Sequence, residues 1–193
     1  WGRLSVEAIL AGQSDIQFYD QEQLLTSNGE EHVFRIDIPN TDQPLLIALV
    51  WTDPAGSTAV SNTLVNDLDL VADDGLNAYW GNVYVEGQSV ASDGNQRDSV
   101  NNVETIRLNP PHERFAYDIT VRAASLNDDG VPGSGSDIEQ DYALLILNGI
   151  DRSGQGSIAF DRSEYDCTSN NRATIQLTDL DNRGRENIQV NIS

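Results

Sequence analysis

The stretch that decides the fold is Leu45-Leu46-Ile47-Ala48-Leu49-Val50-Trp51-Thr52, a continuous apolar run. It has the length of a strand, is far short of the roughly 20 residues that span a bilayer, and ends at the turn signal Asp53-Pro54-Ala55-Gly56. We therefore predict a central strand that is covered on both faces. Just before it, residues 32–38 alternate between apolar and polar side chains and stop at Pro39-Asn40, which indicates a second strand.

Outward from this pair, further runs rich in Val, Ile, Leu and Tyr have strand length and are separated by Gly, Pro, Asn and Asp. They are residues 64–72, 102–108, 115–123 and 142–147. Only residues 4–10 have apolar side chains at helical spacing, which predicts a short helix end that stops at Gly12. Short strands with almost no helical pattern predict an all-β protein, an antiparallel β-sandwich or jelly roll.

A domain boundary is predicted at the Gly- and Ser-containing stretch that begins at Arg152, so that the sandwich covers residues 15–152. Residues 153–193 contain three strand-like runs, at 157–161, 172–179 and 186–192. We interpret them as the first strands of a second, Ig-like β module, with an extension of the first sandwich as the alternative. Cys167 is the only cysteine, which excludes an internal disulfide framework and a multi-cysteine zinc site.

The charge of the chain narrows the choice of partners. It has 31 acidic residues against 11 basic ones, and its net charge is −20. Such a field repels phosphates, so nucleic acids and anionic membranes are excluded as partners. The same field attracts cations, and calcium or a basic protein surface is the partner that it favours.

The clearest chemical signal is the segment Asn66-Asp67-Leu68-Asp69-Leu70. On a strand, its two carboxylates share one face about 6–7 Å apart and repel each other unless a cation lies beside them. Nearby loops supply more carboxylate and amide oxygens, which suit calcium better than zinc. The predicted ligand candidates are Asp53, Asn66, Asp67, Asp69, Asp98, Asn101, Asn102 and Glu104. The alternative is a solvated acidic face.

Signals for catalysis are weak. His32 falls in a predicted strand and His112 in a turn, and we interpret both as structural. Nucleophilic catalysis needs Ser or Cys close to His and an acid, yet no Gly-x-Ser-x-Gly elbow occurs. We therefore assign no catalytic residue to this chain.

Four blocks of sequence resemble the C-terminal β-sandwich of secreted subtilisin-like serine proteases (subtilases). In order they are residues 49–57 (LVWTDPAGS), 64–70 (LVNDLDL), 101–104 (NNVE) and 140–144 (QDYAL). The opening Trp1-Gly2-Arg3-Leu4 is similar to the end of a phrase in the last helix of a subtilase catalytic domain. The resemblance implies that residues 1–14 are the end of that helix and a linker, and that the catalytic machinery lies upstream of Trp1. It also implies an accessory jelly roll, similar to the P domain of proprotein convertases, that packs beside the protease and often holds calcium.

We therefore expect a secreted, non-catalytic protease domain that supports stability, folding or substrate positioning. Its expected partners are the catalytic domain of the parent protease and a protein or polysaccharide substrate. The alternative is a module that binds an extracellular polymer, either carbohydrate or collagen-like, through an exposed patch at Tyr79 and Trp80. Ordinary packing of these two rings under a loop remains open. An independent hydrolase is the least favoured function.

Overall fold

A computed structural model describes residues 15–56, 64–110, 112, 114–131, 133, 137–152, 157–160 and 175–178. The chain divides into two compact units, Trp1–Ile150 and Asp151–Ser193, which are considered separately. In the second unit, two antiparallel strands pair, Ser157–Phe160 (β11) and Ile175–Thr178 (β12). The predicted helix end within residues 1–14, the predicted run 186–192 and Cys167 lie outside the described residues.

The first unit is built from strands. In chain order they are β1 (Ile16–Asp20), β2 (Glu31–Asp37), β3 (Leu45–Val50), β4 (Asp67–Asp73), β5 (Ala78–Val85), β6 (Gln88–Ala91), β7 (Val103–Leu108), β8 (Ala116–Ser125) and β9 (Ala143–Leu147), and the two-residue strand β10 (Ile150–Asp151) follows at the boundary of the unit. The prediction of an all-β sandwich is thus confirmed. No helix that is long and apolar enough to cross a membrane occurs in the described part of the chain.

These strands form two antiparallel sheets. The four-stranded sheet has the order β1-β9-β3-β7, and the six-stranded sheet has the order β10-β2-β8-β4-β5-β6. The core lies between them and is made of the side chains that alternate inward from each strand. The four-stranded sheet contributes Leu45, Ile47 and Leu49 of β3 to this core, and the six-stranded sheet contributes Phe34 and Ile36 of β2. Each such side chain contributes about 1.5–3 kcal/mol when it is fully buried.

The structure corrects the expectation for β3. The strand is central in its sheet, between β9 and β7, as its apolar run predicts. Among the residues that the structure describes, however, its second face is covered only in part, since Val50 is 42% exposed and Leu46 and Ala48 are half-buried. A continuous apolar run therefore marks a strand here without marking burial on both sides.

Candidate functional site

The strand β4 places two carboxylates on the face that points away from the core. Leu68 and Leu70 point inward and are fully buried, and Asp67 and Asp69 alternate with them. Asp69 is nevertheless 0% exposed, and the side chain of Arg97, from the segment between β6 and β7, lies against its carboxylate. Its direct cross-strand neighbour on β8 is Arg122. The predicted pair therefore consists of a buried Asp69 and a half-buried Asp67.

A third carboxyl group arrives from the opposite sheet. Glu104 on β7 is 1% exposed, and its Oε2 accepts a hydrogen bond of 2.7 Å from the backbone N–H of Leu70 on β4. Gly81 on β5 lies against the same carboxylate, and a Cβ atom at that position would collide with it. Glu104 thus reaches between β4 and β5 from the far side of the sandwich.

The gap that Glu104 enters exists because β5 separates from β4. Paired residues of these two strands end at Val71 and Trp80, and the backbone then turns at Asn82, whose φ is +58°. The side-chain amide of Asn82 hydrogen-bonds to the backbone of β7, as a neighbouring strand would. Its Oδ1 accepts the N–H of Thr105 at 3.0 Å, and its Nδ2 donates to the carbonyl of Val103 at 2.8 Å.

Asp98 is the fourth carboxyl group of the region, and it is fully hydrogen-bonded. It accepts bonds from the side-chain amides of Asn82 and Asn101 at 2.7 Å each, and from the N–H groups of Val100 and Asn101. Burial raises the pKa of Asp98, but these hydrogen bonds outweigh it and hold that pKa below its ordinary value. Asp98 is therefore ionised at neutral pH.

The other three carboxyl groups are short of partners. Oδ1 of Asp67, both oxygens of Asp69 and Oε1 of Glu104 are buried without a hydrogen bond. The Nη1 of Arg97 lies 3.5 Å from Oδ2 of Asp69, which is an ion pair without hydrogen-bond geometry. Buried oxygens of this kind cost free energy unless a proton or a cation satisfies them.

Their pKa values respond to this environment. Burial, aided by the charge of Asp69 and opposed by Arg97, raises the pKa of Asp67 to about 6. Burial raises the pKa of Glu104 to about 9, although the Leu70 N–H lowers it and the nearby aspartates raise it further. Burial also raises the pKa of Asp69, against the effect of the two arginines. The three groups therefore cannot all be ionised together at little cost without a cation.

The remaining predicted ligands have other contacts. Asp53 accepts the N–H groups of Val65 and Asn66, and Asn66 Oδ1 accepts those of residues 127 and 128. Asn102 donates its side-chain N–H to the carbonyl of Trp51 at 2.9 Å. Asn101 and Asn102 also line an open cleft of about 680 Å³ with Asn82, Tyr84, Asp98 and Val103. The structure thus brings together Asp67, Asp69, Asp98 and Glu104, whereas Asp53 and Asn66 hold loops.

The described carboxylates do not form a finished metal site. Nowhere in the part of the chain that the structure describes do three His, Cys, Asp or Glu side chains meet in the arrangement of bound-metal ligands. The cluster does contain four carboxyl groups (Asp67, Asp69, Asp98 and Glu104) against the two guanidinium groups of Arg97 and Arg122. Fully ionised, the cluster would carry two uncompensated negative charges. Its carboxylate groups offer oxygen ligands, which is the ligand type that calcium prefers.

Tyr79 and Trp80 do not form one patch. As neighbours on β5 they point to opposite faces of the sheet, and Tyr79 packs against the core. Gly94 lies directly on the indole of Trp80, where a Cβ atom would come within 2.6 Å of the ring. Both rings are half-buried.

The two histidines have structural partners. His32 Nδ1 lies 2.7 Å from the hydroxyl of Tyr142, and His112 Nε2 lies 2.7 Å from the carbonyl of Gln43. Neither partner is a Ser or Cys nucleophile, so neither contact is the nucleophile–base pair of a hydrolase.

Part of the chain is similar to a known protein. A protein of Dictyostelium discoideum, the serine protease/ABC transporter B family protein tagA, is 44% identical to this chain over 68 residues. The match covers 32% of this chain and 4% of that protein. No protein-family description matches the chain. The chain is thus similar, over about a third of its length, to a protein with serine protease in its name.

Proposed function

We propose that this chain is a non-catalytic domain of a secreted subtilisin-like serine endopeptidase, and that bound calcium stabilises its β-sandwich. The protease association is supported by the four ordered sequence blocks and by the partial identity with tagA. The sandwich architecture is consistent with an accessory role. The chain would support the stability or folding of the protease, or position its substrate.

One observation carries the calcium proposal: buried carboxylate oxygens of Asp67, Asp69 and Glu104 lack any hydrogen-bond partner. Calcium accepts six to eight oxygen ligands in flexible geometry, so it tolerates a mixture of side-chain, backbone and water oxygens. Binding would draw these oxygens together and replace the long contact between Arg97 and Asp69. When bound, the ion would supply positive charge to the cluster and a link between the two sheets.

Thermal unfolding of the purified chain in calcium and in excess EDTA tests the metal proposal. A ligand that binds only the folded state, at a concentration about 100 times its dissociation constant, adds about 2.7 kcal/mol to the free energy of unfolding. For a chain of this size, that gain should raise Tm by about 5–10 °C. Magnesium at the same concentration should have a smaller effect, because it demands octahedral geometry and keeps its water ligands. Identical melting curves in calcium and EDTA would refute the proposal.

Two further measurements test the protease association. The isolated chain should not hydrolyse casein or peptide substrates, and turnover abolished by a serine protease inhibitor would contradict a non-catalytic role. The coding sequence upstream of Trp1 should contain a Gly-Thr-Ser segment of the subtilase type. Its absence there would remove the protease assignment and would leave the calcium result unaffected.

Polymer binding is the second candidate, and the geometry favours it less. Tyr79 and Trp80 lie on opposite faces of β5, so a polymer could not stack on both. A pull-down with insoluble polysaccharides and collagen, comparing the wild type with Trp80→Ala, tests this function. Retention that depends on Trp80 would favour it over the accessory role.

A further inference from the structure

The segment between β6 and β7 brings an arginine to the acid cluster. Nη1 of Arg97 lies 3.5 Å from Oδ2 of Asp69, whose side chain is buried. In the part of the chain that the structure describes, Asp67 and Glu104 form no ion pair within 4 Å. Arg97 is therefore the cation that lies directly against this cluster.

The contact between Arg97 and Asp69 supplies charge without hydrogen bonds. Both oxygens of Asp69 lack a hydrogen-bond partner, as do Oδ1 of Asp67 and Oε1 of Glu104. A guanidinium that is well placed on a carboxylate donates two parallel hydrogen bonds of about 2.7–2.9 Å. Arg97 makes neither of them, so it compensates the charge of the cluster in part and leaves its oxygens unsatisfied.

The backbone on both sides of Arg97 is held in place. On one side, the N–H of Ser92 donates at 2.9 Å to the carbonyl of the first residue of β5, and Gly94 packs directly on the indole of Trp80. On the other side, the carboxylate of Asp98 accepts four hydrogen bonds. The side chain of Arg97 can therefore leave the cluster by rotation about its own bonds, while the segment that carries it stays in position.

We propose that Arg97 competes with calcium for the acid cluster: its guanidinium lies on Asp69 in the cation-free chain and is displaced when the ion binds. Calcium is compact and accepts six to eight oxygen ligands, so it can contact several carboxylates where a planar guanidinium contacts one. The inference rests on the proposed calcium site and adds a regulator to it. The strength of the Arg97 contact sets the calcium concentration that the site requires.

Displacement costs Arg97 little. Its side chain is 45% exposed, so water already competes with the contact to Asp69. A divalent ion on the same carboxylate would repel the guanidinium at this short distance. The arginine therefore exchanges one contact without hydrogen bonds for full hydration, and the ion gains both oxygens of Asp69.

Calorimetric titration of the purified chain with calcium tests the competition. Arg97→Gln should lower the Kd for calcium at least about tenfold, because the site no longer has to release a cation. Arg122→Gln is the matched control. Arg122 is the cross-strand neighbour of Asp69 and its replacement removes the same charge, but its Nε lies 3.8 Å from Glu31. We expect the control to change Kd less than about threefold, since a charge outside the site acts on the ion only through screened space.

The titration separates this inference from the calcium proposal. Equal Kd values for the wild type and Arg97→Gln would overturn the competition and leave the calcium site in place. An equal gain of affinity in Arg97→Gln and Arg122→Gln would assign the effect to total charge and would overturn it as well. If neither the wild type nor Arg97→Gln binds calcium, the proposed site fails and the inference fails with it.

A second measurement follows Arg97 in the wild-type chain. With arginine labelled at its side-chain nitrogens, NMR detects the Nε–H signals, and Arg97→Lys identifies the signal of Arg97. We expect this signal to move to the position of a free arginine as calcium saturates the chain. The signal of Arg35, which pairs with Asp118 on β8 and is identified in the same way, should stay constant. An Arg97 signal that stays in place while calcium binds would show that arginine and ion share the cluster, and would overturn the proposal.

Discussion

The Glu104 carboxylate on β7 accepts a 2.7 Å hydrogen bond from the backbone N–H of Leu70 on β4, in the opposite sheet. That N–H lacks a strand partner on β5, because β5 separates from β4 beyond Trp80. An unpaired backbone N–H in the core costs about 1–3 kcal/mol. Glu104 satisfies this donor with one oxygen, and its other oxygen stays buried and free for a cation. The Glu104 side chain thus satisfies a backbone N–H that β5 leaves unpaired, and it supplies an oxygen to the candidate metal site.

The first prediction separates these two roles of Glu104. Glu104→Gln keeps an acceptor for Leu70 and removes the carboxyl group that would have to ionise to hold a cation, so in EDTA its stability should equal or exceed that of the wild type. Glu104→Ala loses the acceptor and leaves a cavity, and should be about 2–4 kcal/mol less stable. In calcium both variants should lose the rise in Tm. Thermal unfolding with and without calcium measures all three proteins.

The matched control for Glu104 is Asp118→Asn on β8. Asp118 is exposed and pairs with Arg35 at 3.6 Å on the outer face of the six-stranded sheet. Its replacement should change stability by less than about 1 kcal/mol and keep the full calcium effect. Loss of the calcium effect in this control would show that total charge, and not the cluster, determines the response.

The second prediction concerns Gly81. A Cβ atom at this position would collide with the Glu104 carboxylate, so Gly81→Ala should cost about 1–3 kcal/mol and weaken the response to calcium. Gly75→Ala is the control, since Gly75 has φ +84° and open space around it. It should cost about 1 kcal/mol through backbone strain and leave the calcium response unchanged. Urea unfolding with and without calcium distinguishes the two effects.

Sequence periodicity was sufficient for most of the sandwich, since β2, β3, β4, β7, β8 and β9 all coincide with predicted runs within a few residues. It missed the hairpin of β5 and β6. The turn of that hairpin is formed by Glu86 and Gly87, whose φ angles are +52° and +79°. Sequence patterns do not predict this turn, because Glu is not a residue that usually adopts the left-handed region. The edge strand β1 was missed because its run, Ile-Gln-Phe-Tyr-Asp, is short and partly polar.

The candidate site was predictable in part. Alternation alone places Asp67 and Asp69 together, because it depends only on neighbouring residues of one strand. The reach of Glu104 between two strands of the other sheet depends on how β5 departs at Asn82, which no local pattern encodes. The carboxylate of Asp53 predicts a metal ligand, yet buried backbone N–H groups need such oxygens as much as cations do. Sequence cannot distinguish these two uses.

The third prediction concerns acid stability through Glu30. Its Oε2 accepts bonds from the backbone N–H groups of Thr26 and Ser27 at 2.7 and 3.1 Å, and from both hydroxyls. The backbone N–H of Thr26, with the other donors, outweighs burial and holds the pKa of Glu30 below its ordinary value of 4.5. A depressed pKa contributes stability above pH 4.5 that is lost as pH falls through the folded value.

Glu30→Gln should therefore be less stable than the wild type by about 1 kcal/mol at pH 6, and the difference should shrink toward zero near pH 3. Urea unfolding between pH 3 and pH 7 measures it. The control Glu31→Gln removes the adjacent carboxylate, which contacts Arg122 only at 3.8 Å and should change little. A difference between Glu30→Gln and the wild type that is independent of pH would contradict the assignment.

The last prediction concerns the buried amides of Asn66 and Gln140, both 0% exposed. Asn66 Nδ2 donates to Gln140 Oε1 at 2.9 Å, and Asn66 Oδ1 accepts the N–H groups of residues 127 and 128. Asn66→Ala leaves several buried polar groups without partners, so it should cost about 3–5 kcal/mol. Asn95→Ala, at an exposed position, should cost less than about 0.5 kcal/mol in the same urea titration. Because this amide network makes no hydrogen bond to the free oxygens of Asp67, Asp69 and Glu104, the calcium-induced rise in Tm should persist in Asn66→Ala. Its loss would mean that Asn66 belongs to the metal site and does more than hold a loop.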